Sequence, residues 1–135
     1  MSDSGGQLDA LARSRYISLA TFRRNGNVVA TPVWFAPAGD GWYVFTAARS
    51  GKVKRLRHTP NVRVSACDMR GKVSGPVFDT DATLTTDNEE IEGAYAALMR
   101  RYGWQLKLTN LLSWLGRRLD KRQMIRITPP REQVD

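Results

Sequence analysis

Tyr16-Ile17-Ser18-Leu19-Ala20-Thr21-Phe22, Arg23-Arg24-Asn25-Gly26 and Asn27 through Phe35 read in order as strand, turn and strand. The first run is rich in β-branched and aromatic residues, which suit a pleated, half-buried surface. Asn25-Gly26 supplies the positive φ angles of a tight hairpin. Pro37-Ala38-Gly39-Asp40-Gly41 turns again, and Trp42-Tyr43-Val44-Phe45-Thr46 is a third strand. Three strands joined by short turns predict an antiparallel meander.

Upstream, Gln7 to Arg13 predicts a short helix, with Leu8, Leu11 and Ala12 on one face. Downstream, Ser50 is placed to cap a helix that turns Val53 and Leu56 inward, and Thr59-Pro60-Asn61 stops it. Val62 to Cys67 alternates like a strand. After the turn at Arg70-Gly71, an extended stretch runs from Lys72 to Thr85, bent or bulged at Gly75-Pro76. Thr86-Asp87-Asn88-Glu89 has capping-box spacing before a stripe of Ile91, Tyr95, Leu98, Met99 and Tyr102, which Gly103 ends. Trp104, Leu108, Leu111, Leu112, Leu115 and Leu119 form a second helical stripe. Gln123 to Ile127 is a closing strand before Pro129-Pro130. Six strands with helices outside predict an α+β fold built on a small closed or half-open barrel.

The chain has 135 residues, enough for one domain, and residues 7–128 read as one unit. No apolar run approaches the ~20 residues of a membrane span. The N-terminus lacks the basic and apolar regions of a secretory signal, so a cytoplasmic location and no stable membrane insertion are expected. Cys67 is the single cysteine and His58 the single histidine, too few for a disulfide or a zinc centre, and no metal is expected. Net charge is +8, from 21 Lys+Arg against 13 Asp+Glu, which favours an anionic partner. The charge gathers in Arg49 to His58 and in Arg117-Arg118 with Lys121-Arg122. Each cluster also reads as a solvated face.

The loop Thr46-Ala47-Ala48-Arg49-Ser50-Gly51-Lys52 is the most informative chemically. A helix start leaves backbone N–H groups unsatisfied and carries partial positive charge, so it favours phosphate. Gly51 lets an anion approach the backbone, Arg49 and Lys52 supply full charges, and the Thr46 and Ser50 hydroxyls donate hydrogen bonds. The alternative is a capped surface helix with solvated lysines. The sequence is not a Walker A loop, so ATP is not expected. Nor does any paired acid and base stand out: His58 reads as a helix-end charge and Cys67 as an inert strand residue. Trp34 and Trp104 are candidates to wall a pocket.

Ser18-Leu19-Ala20-Thr21, Ala30-Thr31-Pro32-Val33-Trp34-Phe35, Phe45-Thr46, Ser50-Gly51-Lys52, Asn61-Val62 and Gly71-Lys72-Val73 follow one another in an order that resembles the pyridoxine-phosphate-oxidase-like split-barrel superfamily. Within it the chain is most similar to the F420-dependent flavin/deazaflavin oxidoreductases of the B type, to which Arg100-Arg101-Tyr102-Gly103-Trp104 also corresponds.

The resemblance implies a six-stranded antiparallel split β-barrel with flanking helices, paired as a homodimer with cofactor sites at the interface. It implies that Thr46, Ala47, Arg49, Ser50, Gly51 and Lys52 hold the cofactor phosphate. Thr31, Pro32 and Val33 would lie against the ring, with Lys72 and Val73 contributing. Ala30 stands where a polar residue can occur, and Lys72 where an aromatic can stack. The cofactor implied is coenzyme F420, with FMN the alternative, and the activity is hydride transfer from the reduced deazaflavin to a small electron-poor substrate. F420 is longer and more anionic than FMN, which suits a basic chain. A carrier of flavin, F420 or haem without turnover stays open. A nucleic-acid or membrane-surface binder is the remaining rival, without a recognised nucleic-acid motif; nucleic acid is not an expected partner.

Overall fold

The computed structural model describes residues 2–47, 50–103 and 122–130. In chain order the elements are α1 (Ser2–Arg13), β1 (Tyr16–Phe22), β2 (Val28–Val33), β3 (Ala36–Ala38), β4 (Gly41–Ala47), α2 (Gly51–His58), β5 (Asn61–Cys67), β6 (Phe78–Thr85), α3 (Asn88–Tyr102) and β7 (Arg122–Ile127). The strands form one antiparallel sheet in the order β2-β1-β5-β6-β7-β4-β3. This is the expected α+β split barrel, with one correction to the strand count. Asn27 to Phe35 is not one strand, and Pro37-Ala38 is not turn: β2 pairs with β1, the chain kinks at Trp34-Phe35, and β3 pairs with β4. The two strands at opposite ends of the sheet are therefore neighbours in sequence. One extended stretch runs along both edges and curls the sheet into a barrel, giving seven paired segments among the described residues instead of six.

A side chain holds that kink. The Tyr102 hydroxyl accepts from the Phe35 N–H at 3.1 Å and lies 2.8 and 2.9 Å from the Arg15 and Phe35 carbonyl oxygens. Its ring stacks on Trp34, with centroids 4.7 Å apart.

The β1–β2 hairpin is the one Asn25-Gly26 predicts: Gly26 sits at φ +89°, where a Cβ would be strained, and Asn25 Oδ1 accepts from Asn27 N at 3.0 Å. The bulge at Gly75-Pro76 is also present. Val73 bridges to Cys67 and Phe78 pairs with Val64, so three steps along β5 face five along the returning chain. The strand proper starts only at Phe78, later than Lys72. For α3 the cap is Asp87, whose carboxylate accepts from Glu90 N at 2.9 Å, one residue beyond the Thr86 that the capping-box spacing suggests. The second helical stripe, Trp104 to Leu119, and the cluster at Arg117-Arg118 and Lys121 lie outside the described residues.

Strand alternation sorts the sheet into two cores. Inside the barrel, Ile17, Leu19, Phe35, Val44, Val62, Val64, Ile125 and Ile127 pack together, joined by Leu11 from α1 and Leu56 from α2. On the outer face of β3, β4 and β7, the residues Ala36, Tyr43 and Met124 pack against Ala94, Ala97, Leu98 and Tyr102 of α3. The outer face of β2, β1 and β5 carries small residues, Ser18, Ala20, Ala30 and Ser65, of which Ala30 alone is exposed.

Candidate functional site

Where the two halves of the sheet meet, an open concavity of about 360 Å³ is lined by Tyr16, Pro32, Val33, Trp34, Phe45, Thr46 and Lys52. That volume lies in the range of small-molecule sites. Pro32, Val33 and Trp34 come from β2 and the kink after it, Phe45 and Thr46 from the end of β4, and Lys52 from the first turn of α2. Alternation sets which groups face it. Val33 and Phe35 turn into the barrel, so Trp34 turns outward onto Tyr102. Among the described residues β2 is an edge strand, so its outer backbone groups have no strand partner there and are able to bond a planar heterocycle.

Lys52 is placed by the cap of α2. Ser50 sits at φ −66°, ψ 158°, and its hydroxyl accepts from Val53 N at 3.4 Å, while Val53 and Leu56 anchor the helix in the core. No acidic residue occupies the first turn, so nothing on the helix offsets the positive end of its dipole. Lys52 is half-buried, and no carboxylate among the described residues lines the concavity. Burial pushes its ammonium below the ordinary lysine range, and the nearby Arg55 charge adds to the effect. A desolvated cation without a counter-charge is a site in want of an anion.

One further orphan lies close by. Thr31 shares the inward face of β2 with Val33, and its hydroxyl is the buried side-chain polar atom that finds no hydrogen-bond partner among the described residues. An aromatic wall, an edge strand and a lysine at a helix start together fit a phosphate-bearing isoalloxazine-type ring; the Thr31 hydroxyl is buried and does not line the concavity.

Of the residues singled out from the sequence, the structure brings together Pro32, Val33, Thr46 and Lys52, with Trp34 beside them. Ser50 and Gly51 start the helix but do not line this concavity. Lys72 and Val73 do not line it either; both are exposed. They stand near its rim through the Asp68–Lys72 turn, where Asp68 Oδ1 accepts from Arg70 N and Lys72 N, each at 2.9 Å. That turn sets Gly71, at φ +89°, against the Pro32 ring. Arg49, Trp104 and the Ala47 side chain lie outside the described residues. Tyr16 and Phe45 line the concavity without having been anticipated. Their only sequence signal was position, one at the start of a strand and the other beside Thr46. Cys67 is buried, and burial with the Asp68 charge pushes its thiol up, which keeps it protonated and unreactive.

The pyridoxamine 5'-phosphate oxidase family matches residues 7–134. The chain belongs to that family. The split barrel of the pyridoxamine 5'-phosphate oxidase family is also what the solved structures show. A conserved hypothetical protein from Mycobacterium tuberculosis aligns at 23% identity over 94% of this chain and 80% of that one, with a TM-score of 0.68. HutZ, a haem storage protein from Vibrio cholerae, aligns at 16% identity over 96% and 89%, with a TM-score of 0.68. A FAD-binding protein from Mesorhizobium loti aligns at 17% identity over 91% and 84%, with a TM-score of 0.61. At these identities the likeness is one of fold. No curated protein matches the chain. No helix among the described residues is long and apolar enough to cross a membrane.

Proposed function

We propose that this protein is an F420-dependent reductase that works as a homodimer and passes a hydride to a small electron-poor substrate. The observation that carries the reading is Lys52: a half-buried ammonium with no carboxylate among the described residues of its concavity, which it shares with Thr46, Pro32, Val33 and an aromatic wall. In this reading Lys52 and the Thr46 hydroxyl hold the cofactor phosphate. The outer backbone groups of β2 at Pro32 and Val33 fix the edge of the ring, and Trp34 and Tyr16 exclude water from one side. When bound, the deazaflavin supplies the hydride chemistry. Among the described residues the lining holds no carboxylate and no histidine, and the chain's contribution is orientation and desolvation.

F420 is preferred to FMN on the sequence resemblance and on charge. A +8 chain with further cations beside the start of α2 attracts the more anionic molecule, although exposed charges are screened within ~8 Å at physiological salt. The FAD-binding and haem-storing relatives of the same fold keep FMN and a carrier role as the alternatives. The carrier is favoured by the missing acid–base pair.

The homodimer is supported by large hydrophobic side chains left exposed on the sheet and the chain beside it. The large hydrophobic residues exposed among the described residues are Val28, Met69, Val73 and Val77, from β2 and from the chain between β5 and β6. A two-fold contact there would cover them and complete the rim of the concavity beside Pro32.

Fluorescence titration with F420 and FMN tests the cofactor: F420 should bind at least tenfold more tightly, and equal affinities would favour FMN. Stopped-flow absorbance of reduced F420 against a panel of quinones and enones separates enzyme from carrier. Reoxidation faster than that of free reduced F420 supports the enzyme, and no acceleration with any acceptor supports the carrier.

A further inference from the structure

Gly51, Lys54, Arg55 and His58 recur along α2 at the spacing that puts them on one face, and that face is not the one Lys52 presents to the concavity. Across from them stand Arg23 and Arg24 of the β1–β2 turn. Between the helix and the turn lies a second, larger cleft of about 540 Å³, with Phe22 and Asn25 also in its lining. Five of its side chains are basic and none is acidic. The ion pairs of the described residues lie elsewhere, joining Arg63 to Asp79 and Arg126 to Asp40 and Glu90. The charge in this cleft is therefore unopposed within the described chain.

Arg55 gives the cleft its geometry. Its Nε donates to the Thr21 hydroxyl at 2.5 Å, and Thr21 is fully buried, so the guanidinium is tethered to the barrel. It folds back over the start of its own helix, so close that a Cβ on Gly51 would come within 2.6 Å of Nη1. A cation laid at the positive end of a helix dipole is unfavourable in the empty molecule. Burial holds the Arg55 guanidinium below its usual range, and the nearby Arg23 charge adds to the effect. Such an arrangement stores electrostatic strain that one bound group with several negative charges relieves. Guanidinium forks suit phosphate and carboxylate alike. The space exceeds what a single monovalent ion needs.

We propose that this cleft is a second binding site, for a small molecule carrying several phosphate or carboxylate charges, separate from the Lys52 concavity. It does not rest on the flavin reading, since the site contains none of the concavity's lining residues.

The test is isothermal titration with tripolyphosphate and with citrate, neither of which has a ring, at constant low ionic strength set with chloride. Wild type is compared with the double variant Arg23→Glu/Lys54→Glu. A control, Arg57→Glu/Arg70→Glu, makes the same charge change at exposed positions outside the cleft. Thermal melting checks that each variant folds, and Lys54→Gln serves as a milder substitute. At least one of the two anions should bind wild type saturably, at least tenfold more weakly to the cleft variant and within about threefold of wild type to the control. Whichever anion binds more tightly names the preferred headgroup. Equal losses in both double variants would show a non-specific charge effect and overturn the site. So would wild type that binds neither anion, including wild type that binds only a single-stranded oligonucleotide.

Discussion

The two halves of the sheet treat their outer faces differently. On β3, β4 and β7, α3 buries Tyr43, Met124, Leu98 and Tyr102, and the half is complete within one chain. On β2, β1 and β5 the face is made of small residues, Ser18, Ala20 and Ser65 among them buried, and the exposed large hydrophobics are Val28 of β2 with Met69, Val73 and Val77 of the chain between β5 and β6. The covered half carries the polar ties expected of a finished interface: Tyr43 donates to Glu90, which also pairs with Arg126, and Arg126 reaches Asp40 at 2.8 Å. The other half has the exposed Arg63–Asp79 pair. The difference teaches where function is to be sought. The candidate site lies on the seam, drawing Phe45 and Thr46 from the finished half and Pro32 and Val33 from the open one.

The comparison breaks most severely at Leu98. It is 1% exposed between α3 and the sheet, so Leu98→Ala should cost about 2–5 kcal/mol of stability, read by chemical denaturation. Next comes Tyr102→Phe. It removes the acceptor for the buried Phe35 N–H and should cost roughly 1–3 kcal/mol, with weaker cofactor binding because the kink carrying Trp34 loosens. A stability change below ~0.5 kcal/mol would mean that the kink is held otherwise.

The open half should respond in the opposite way. Val77→Asp, at 56% exposure, should leave the folded monomer intact while weakening self-association at least tenfold, about 1.4 kcal/mol. Sedimentation of wild type at micromolar concentration should give about twice the 15.2 kDa chain mass. A wild-type monomer that binds cofactor tightly would contradict the homodimer. The smallest effect belongs to Asp79→Asn, which breaks the exposed pair with Arg63 and should change stability by less than about 1 kcal/mol.

How much of this was legible in the sequence depends on whether the cause was local. The Asn25-Gly26 hairpin, the Ser50 cap, the bulge at Gly75-Pro76 and the inward Val53 and Leu56 all follow from near neighbours, and all are present. The division of residues 27–38 into two strands was not legible. Alternation runs unbroken through Trp34-Phe35, and the tie that holds the kink comes from Tyr102, 67 residues away. The same holds for Tyr16 and Phe45, which reach the concavity through strand pairing. Arg49 to His58 read as one basic cluster along the chain, but helical geometry sends Lys52 to one hollow and Lys54, Arg55 and His58 to another.

Lys52 also predicts a pH dependence. Its ammonium titrates below the ordinary value of 10.5, so in the empty folded protein its charged form is disfavoured relative to the unfolded chain. A bound phosphate reverses that preference. Cofactor affinity should therefore be level near neutral pH and fall as the pH rises into the alkaline range, whereas Lys52→Arg should keep its affinity there.

The most direct test of the seam as a cofactor site is the affinity of Lys52→Ala for F420 and FMN beside wild type, measured by fluorescence at neutral pH. Both molecules carry phosphate, so the loss should appear with whichever one wild type binds. The account predicts a loss of roughly 1.5–3 kcal/mol, or about 10- to 150-fold, as for a hydrogen bond to a charged group. Unchanged affinity in Lys52→Ala would contradict it.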